Sequence, residues 1–562
     1  GVVPPELVRD VRRRSDAGPF GVSALTLSQA LDVARRLGAT TMVRGGFSHG
    51  GGGYVLDLTV YDVAHGRPLG MVTVRDTSVL GLAGAAAARL DAVLGSSRQG
   101  PGIAEAETPS LDAYRHYVAA LQAQDEGRYV DAADELNASL AADSQFVAAL
   151  RMKAALAELG GDAAAEKQAL AAAARAGTRA TPFDRLDLAV RQSLLNGERG
   201  RPIELARQLV REYPRDPRAY RTLANALFSH GRFAEQEAVL ARALDLDSLG
   251  MEAGRGPCVP CVGYGGLAEV RLLRGDVAGA IAASRRWVQL QPEVPGAWAV
   301  LGSVLSMAGD FPGAEQAQRR AAALDPMPVA QNTLVRTWLM AGRYAAVDSA
   351  TRDWERTGSP EARDAVADLR SMLQRERGQF HDAARTLATA PARGAIPLVL
   401  ANTLSRIGDA AAARRIYEAA GHPTTGTGAE RARAYCWAHA LEAQDLAEAD
   451  TTRLRALADS IEAQARLSYY ARDWRLASHV RGLLALRAGR YAEAARDLEA
   501  ARFGVAGWTA TNLALARAQL ALRRPQDAVR TLREALIGPL DGMGRYVPRS
   551  EIAFALAQAY QQ

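Results

Sequence analysis

The hydrophobic pattern is clearest between Pro295 and Pro328. Bulky residues stand at Trp298, Leu301, Leu305 and Phe311, and small ones at Gly302, Ala314 and Ala321. Spacings of three and four put the first bulky residues on one side of a helix, where they fill the space against a second helix. The small residues let the two helices approach closely. Gly309 ends the first helix, where a residue with positive φ costs little, and Pro326 ends the second. The block predicts a helix–turn–helix hairpin.

The same turn recurs. It opens at Gly127, Gly161, Gly231, Gly275, Gly309, Gly342, Gly378, Gly408 and Gly489, and Arg523-Arg524-Pro525 repeats it 34 residues later. Degenerate turns fall at Gly197 to Gly200 and near Gln444-Asp445. The chain therefore predicts about twelve helical hairpins, a stacked array in which each hairpin buries its apolar side against its neighbours. Two spacings are long. About ten residues are inserted within SLGMEAGRGPCVPCVGYGG, and a helix is predicted to lengthen between Leu454 and Arg475.

The first 95 residues follow another rhythm. LTLSQALDVARRLG reads as a helix with a Ser or Thr cap. ATTMVRGGFS, YVLDLTVYDV and LGMVTVRDT carry β-branched alternation and predict strands, joined by loops at Gly50 to Gly53 and His65 to Pro68. LGLAGAAAARLDAVLG predicts a closing helix. The organisation read from these patterns is a small α/β domain over residues 1–95, a Gly/Pro/Glu-rich linker over 96–110 and a helical-repeat array over 111–562.

The positions in the Pro295 block resemble the tetratricopeptide repeat (TPR). A helix ending RRLGA, the strands VRGGF and YVLDLTVYDVAHGRPL, and the run TPSLDAYRHYVAALQAQDEGRYVDAADELNASL are similar to a TolB-N-like domain followed by TPRs. That order occurs in the extracytoplasmic C-terminal parts of some bacterial membrane-anchored Ser/Thr kinases, and in regulators and cyclases of similar layout. The resemblance implies a mostly α fold, a TPR α-solenoid preceded by a small α/β domain. It also implies a periplasmic or cell-surface location in a bacterium. Kinase activity is not implied, since no Gly-rich nucleotide loop and no HRD or DFG equivalent is present.

Composition narrows the chemistry. Hydrophobic residues make up 48% of the 562 and charged residues 23%, which excludes wholesale disorder. Alanine is abundant and aromatics reach only 6%, a balance suited to close-packed helices. The net charge of +6 is spread thinly, and Arg12-Arg13-Arg14 is its densest run, so no nucleic-acid footprint is seen. No apolar stretch is long enough to span a bilayer, and GVVPPELVRDVRRRS lacks the apolar core of a signal peptide.

Few residues offer reactive chemistry. Cys258 and Cys261 form a CxxC that reads as a local disulfide or as two buried thiols. Cys436 and His439 stand too many repeats away to complete a zinc site with them, and Cys436 reads as core. GGFSHGGGG lacks GK[ST] and a following helix, so it reads as a hairpin. The eight histidines show no HExxH and no close pair, and no GxSxG elbow exists. No catalytic residue, no metal ligand and no cofactor is assigned, and the chain is expected not to be an enzyme.

Binding remains. In such repeats, positions 2, 5, 9 and 12 of the first helix line the concave side. Here those are Arg218, Arg221, Asn225 and Phe228, the expected contacts for a protein or peptide partner. The final segment RSEIAFALAQAYQQ is largely apolar, which makes Ile552, Phe554, Leu556 and Tyr560 candidates for an end-to-end contact with a second copy. Both ends are expected to be open, either because the chain is a fragment or because neighbours complete them. The expected function is an interaction scaffold or sensor region, with a self-assembling extracellular filament as the alternative. No nucleic-acid partner and no membrane insertion are expected.

Overall fold

The structure is a computed structural model. It describes residues 26–562 apart from 37, 51, 96–107, 126–127, 161–162, 247–262, 325–327, 358–359, 393, 447–449, 469, 505–508 and 538–544. It begins with α1 (Leu27–Arg36), whose first turn is closed reciprocally: the Thr26 N–H donates to Gln29 Oε1 at 2.8 Å, and the Gln29 N–H to Thr26 Oγ1 at 3.3 Å. An antiparallel meander follows, β1 (Thr41–Gly50), β2 (Gly53–Asp62) and β3 (Arg67–Asp76), in that spatial order. Gly50 faces Gly53 at the first turn, and the register slips at Val60/Tyr61. Helix α2 (Val79–Leu94) starts on the Ser78 cap and covers one face of the sheet, burying Leu82 and Ala86 against Val72 and Val74. The helix, three strands, helix order expected from the sequence is thus present, each element within a few residues of its predicted span.

From residue 111 the described chain is helical hairpins. They are α3 (Leu111–Asp125) with α4 (Tyr129–Ala142), α5 (Val147–Gly160) with α6 (Ala163–Arg175), α7 (Pro182–Leu195) with α8 (Arg201–Glu212), and α9 (Pro217–Ser229) with α10 (Phe233–Asp245). Then come α11 (Gly263–Leu273) with α12 (Val277–Leu290), α13 (Pro295–Met307) with α14 (Phe311–Leu324), α15 (Pro328–Met340) with α16 (Tyr344–Thr357), and α17 (Pro360–Glu376) with α18 (Phe380–Ala388). The last are α19 (Ile396–Arg406) with α20 (Ala410–Gly421), α21 (Gly428–Leu446) with α22 (Thr451–Ala465), a single turn α23 (Ala471–Trp474), α24 (Leu476–Arg487) with α25 (Tyr491–Ala500), α26 (Thr509–Ala521) with α27 (Pro525–Ile537), and a closing α28 (Arg549–Gln561). The molecule is a mostly α, TPR-type solenoid preceded by a small three-stranded α/β layer.

The predicted turn chemistry is visible in the backbone. Gly231, Gly275, Gly309, Gly342, Gly378, Gly408 and Gly489 all have positive φ, between 68° and 88°, at the bend inside a hairpin. Arg523 takes the same place with φ 55°, and it is the one non-glycine with positive φ among the described residues. Gly302 does the work predicted for it, and Gly482 does the same in a later hairpin. A Cβ on Gly302 would lie 2.5 Å from Gln318 Cγ, and one on Gly482 would lie 2.4 Å from Leu498 Cγ, so each glycine sets how closely its two helices approach. Pro326 lies outside the described residues.

Two expectations are corrected. Gln444 and Asp445 lie inside α21, and the next helix starts only at Thr451, on the Asp450 cap. The extra residues beyond Leu454 do not lengthen a helix either. Helix α22 ends at Ala465 and the chain turns through Ser468 into α23. Polar burial explains the break: buried Asp473 accepts from Trp437 Nε1 at 2.8 Å and from Ser468 Oγ at 2.6 Å, and Trp474 Nε1 donates to the Ser468 carbonyl at 2.7 Å.

First helices of successive hairpins touch one another directly (α5 with α7, α7 with α9, α11 with α13, α13 with α15, α15 with α17), in addition to their own partners. Packing first helix against first helix gives the array its curvature and puts these helices on the inner side. Curvature carries the fourth hairpin round to the eleventh. A Cβ on Gly231 would sit 3.6 Å from Ala471 Cβ, and Phe228 packs its ring 6.1 Å from Tyr470 and 6.2 Å from Phe503. Nearby, Arg199 donates to the Ala465 carbonyl at 2.6 Å and lies over the Trp474 ring, and Lys167 pairs with Glu430. One superhelical turn therefore meets the next.

Candidate binding surface

The inner face is best defined where α5, α7 and α9 run side by side. Their sequences place charged residues among alanines on that side, and the charges meet in one cluster. Arg151, 7% exposed, donates from Nε to Asp184 Oδ1 at 2.8 Å, and its Nη1 lies 3.8 Å from Asp187 Oδ2. Arg191 Nε is 3.4 Å from the same Asp187 oxygen, and Thr222 Oγ1 donates to Asp187 Oδ1 at 2.6 Å. Burial alone would raise the Asp187 carboxyl. The arginines and Thr222 outweigh it and hold the group below the usual carboxylate range.

Arg221 stands next to this cluster. Burial lowers its pKa to about 10, and Arg151, Arg191 and Arg218 push the same way, against the opposing pull of Asp187. No hydrogen bond to its guanidinium is formed by the described residues. One turn further along α9, Asn225 is exposed. Glu269, on α11, keeps accessible surface while burial raises its carboxyl above the ordinary value.

The four residues expected to line the concave side thus have different surroundings. Arg221 faces the Arg151, Asp187 and Arg191 cluster of the two preceding first helices, and Asn225 is exposed one turn on. Arg218 is engaged within the protein: its Nη2 donates to Asp216 Oδ2 at 2.6 Å, and the guanidinium lies 4.5 Å from the Phe183 ring centre. Phe228 belongs to the seam between superhelical turns, with Phe233, Tyr470 and Phe503.

At the other end, Ile552 is 1% exposed and Leu556 is half-buried against the core, while Phe554 and Tyr560 are exposed. Helix α28 is anchored at its start: the Arg549 and Ser550 N–H groups donate to the two Glu376 carboxylate oxygens at 2.6 and 3.1 Å, and Arg406 pairs with Glu551 at 2.8 Å. Just before it, Arg375 donates to the Arg545 and Tyr546 carbonyls and to Asn402 Oδ1.

Cys258 and Cys261 lie outside the described residues. Cys436 is buried, its thiol pushed up to about 12 by burial and by Asp473, a poor state for a nucleophile. Among the described residues no helix is long and apolar enough to cross a membrane. One grouping escaped the sequence reading: Glu418, His422 and His439 converge at the junction of α20 and α21. Their spacing follows no metal motif, and only the packing of consecutive hairpins brings them together.

No family model matches the chain, and no curated protein matches it. Solved structures do. A tetratricopeptide repeat protein from Parabacteroides merdae is 13% identical, over 46% of this chain and 98% of its own, with a TM-score of 0.32. Yeast Tom70 is 13% identical over 80% of this chain and 95% of its own, also at 0.32. PilF of Pseudomonas aeruginosa is 14% identical over 44% and 91%, at 0.24. Such scores transfer no ligand or partner, and the repeat assignment rests on the hairpins themselves.

Proposed function

We propose that this chain is a non-enzymatic interaction scaffold whose inner face, at Arg221 and Asn225, receives an extended acidic segment of a partner protein. The observation that carries the reading is the setting of Arg221, beside Arg151, Arg191 and Arg218. It is a guanidinium crowded by three other arginines and given no hydrogen bond by the described residues. A carboxylate from a partner would relieve that crowding, and Arg pairs with carboxylates in a bidentate geometry. Asn225, one turn away, is suited to the backbone of an extended peptide.

The test is fluorescence anisotropy with a labelled Asp/Glu-rich peptide and a Lys-rich control of equal length. The acidic peptide is expected to bind, and Arg221→Ala to weaken it about 10- to 100-fold, the equivalent of one charge-assisted hydrogen-bonded contact. Because Arg221 sits among like charges, its removal should leave stability unchanged or higher, so lost binding would not report lost folding. Equal binding by wild type and Arg221→Ala would overturn the proposal.

The end-to-end alternative has less support. Ile552 and Leu556 pack inward, and Phe554 and Tyr560, six residues apart, leave different sides of α28. A mass that stays at one chain from micromolar to high concentration favours the scaffold. An extracytoplasmic location is proposed on the domain order alone, and cell fractionation tests it.

A further inference from the structure

The junction of α20 and α21 holds an arrangement that peptide binding does not use. His439, on α21, is 2% exposed. Its Nδ1 lies 2.8 Å from Glu442 Oε2, and Glu442 is acceptor-only as a carboxylate, so Nδ1 carries a proton and, in the neutral ring, Nε2 holds the lone pair. That buried Nε2 has no hydrogen-bond partner. Glu442 is itself fixed by Arg453, whose Nη2 donates to both carboxylate oxygens at 2.8 and 3.1 Å, with Arg414 Nε 3.8 Å away. Glu442 is therefore committed to orienting the ring.

Facing His439 are two residues of α20 and its end. His422 Nδ1 donates to the Glu418 carbonyl at 3.0 Å and lies 3.5 Å from Glu418 Oε1, so in the neutral ring Nε2 holds the lone pair. The His422 and His439 rings meet edge to face at 5.7 Å. One ligand atom from each of Glu418, His422 and His439 lies within 4.8 Å of the others. Glu418 and His422 are exposed and border an open depression with Arg414 and Arg415, so the cluster is reached from solvent.

We propose that Glu418, His422 and His439 form a divalent transition-metal site, selective for an ion such as zinc that accepts two imidazoles and a carboxylate. Tetrahedral zinc with bonds of about 2.0–2.1 Å needs donors about 3.4 Å apart. The donors, within 4.8 Å of one another, would have to close to that spacing by rotation of the two exposed side chains about a fixed His439. A carboxylate accepting from the far nitrogen of a ligating imidazole is the usual way such a ring is oriented and made more basic. Imidazole nitrogens with one carboxylate suit zinc better than calcium or magnesium, which take oxygen ligands. The ion would join the ninth hairpin to the tenth.

The test uses the full chain, stripped by a chelator and titrated with Zn²⁺ alone in competition with a chromophoric chelator. One equivalent is expected to bind. His422→Ala and Glu418→Gln, both surface changes, should each weaken binding at least about tenfold. Gly421→Ala should do the same while removing no donor, because its Cβ would lie 2.9 Å from His439 Nε2. The Cys258→Ser/Cys261→Ser double variant should bind like wild type. The proposal is overturned if wild type takes no zinc, if His422→Ala binds as tightly as wild type, or if the cysteine variant loses the ion.

Discussion

On α24 the His479 ring is fully enclosed, with Thr511 Oγ1 3.0 Å from Nδ1. Burial lowers its pKa to about 3 from an ordinary 6.5. The folded state therefore resists a proton that the unfolded chain accepts. Stability is fully present above pH 6.5 and is lost as pH falls from there toward 3. By pH 5 this one side chain removes about 2 kcal/mol. Urea unfolding at pH 7 and pH 5 should show wild type losing about that much more than His479→Gln, and parallel losses would refute the assignment. Arg221 follows the same physics with the opposite consequence. Burial and like charges depress its pKa only to about 10, so it stays charged at neutral pH. Neither environment could be read from the sequence. His479 depends on Thr511 in the next hairpin, and Arg221 on Arg151 and Arg191 in the two hairpins before it.

The bend inside each hairpin is where local sequence decides most. Among the described residues glycine relieves the left-handed backbone at eight of these bends, and Arg523 has to adopt it with a side chain. That conformation costs an L-residue about 1–2 kcal/mol. Arg523→Gly is expected to stabilise the chain by about 1 kcal/mol, read as a higher midpoint in chemical denaturation, and a lower midpoint would show that the side chain compensates through contacts. Hairpins, glycine turns and the close-approach position Gly302 were legible because each is fixed by residues within one repeat. The Gln444–Asp445 turn misled because α21 runs on through a half-buried stretch tied to the hairpin before it. There Asp445 accepts from Asn402 Nδ2 at 2.7 Å and from Tyr417, partners that lie in the preceding hairpin. Glu418, His422 and His439 went unnoticed for the same reason: one comes from a helix, one from its cap and one from the helix beyond.

Across the whole molecule, small rotations between neighbouring hairpins add up until the fourth meets the eleventh. No local motif encodes that sum, which is why Phe228 reads as a concave contact in the sequence and lies in the seam in the structure. The seam matters for the proposed function because it would fix the radius of the face on which a partner is proposed to bind. It also supplies the most direct test. Gly231 and Ala471 are distant in sequence, yet a Cβ on Gly231 would lie 3.6 Å from that of Ala471, within disulfide range. In a background of Cys258→Ser, Cys261→Ser and Cys436→Ala, the pair Gly231→Cys and Ala471→Cys should close a disulfide under mild oxidation. It should migrate as a single compact species on a non-reducing gel, with both thiols unreactive. Two thiols that stay titratable, with the mobility of the reduced chain, would contradict the closed superhelix.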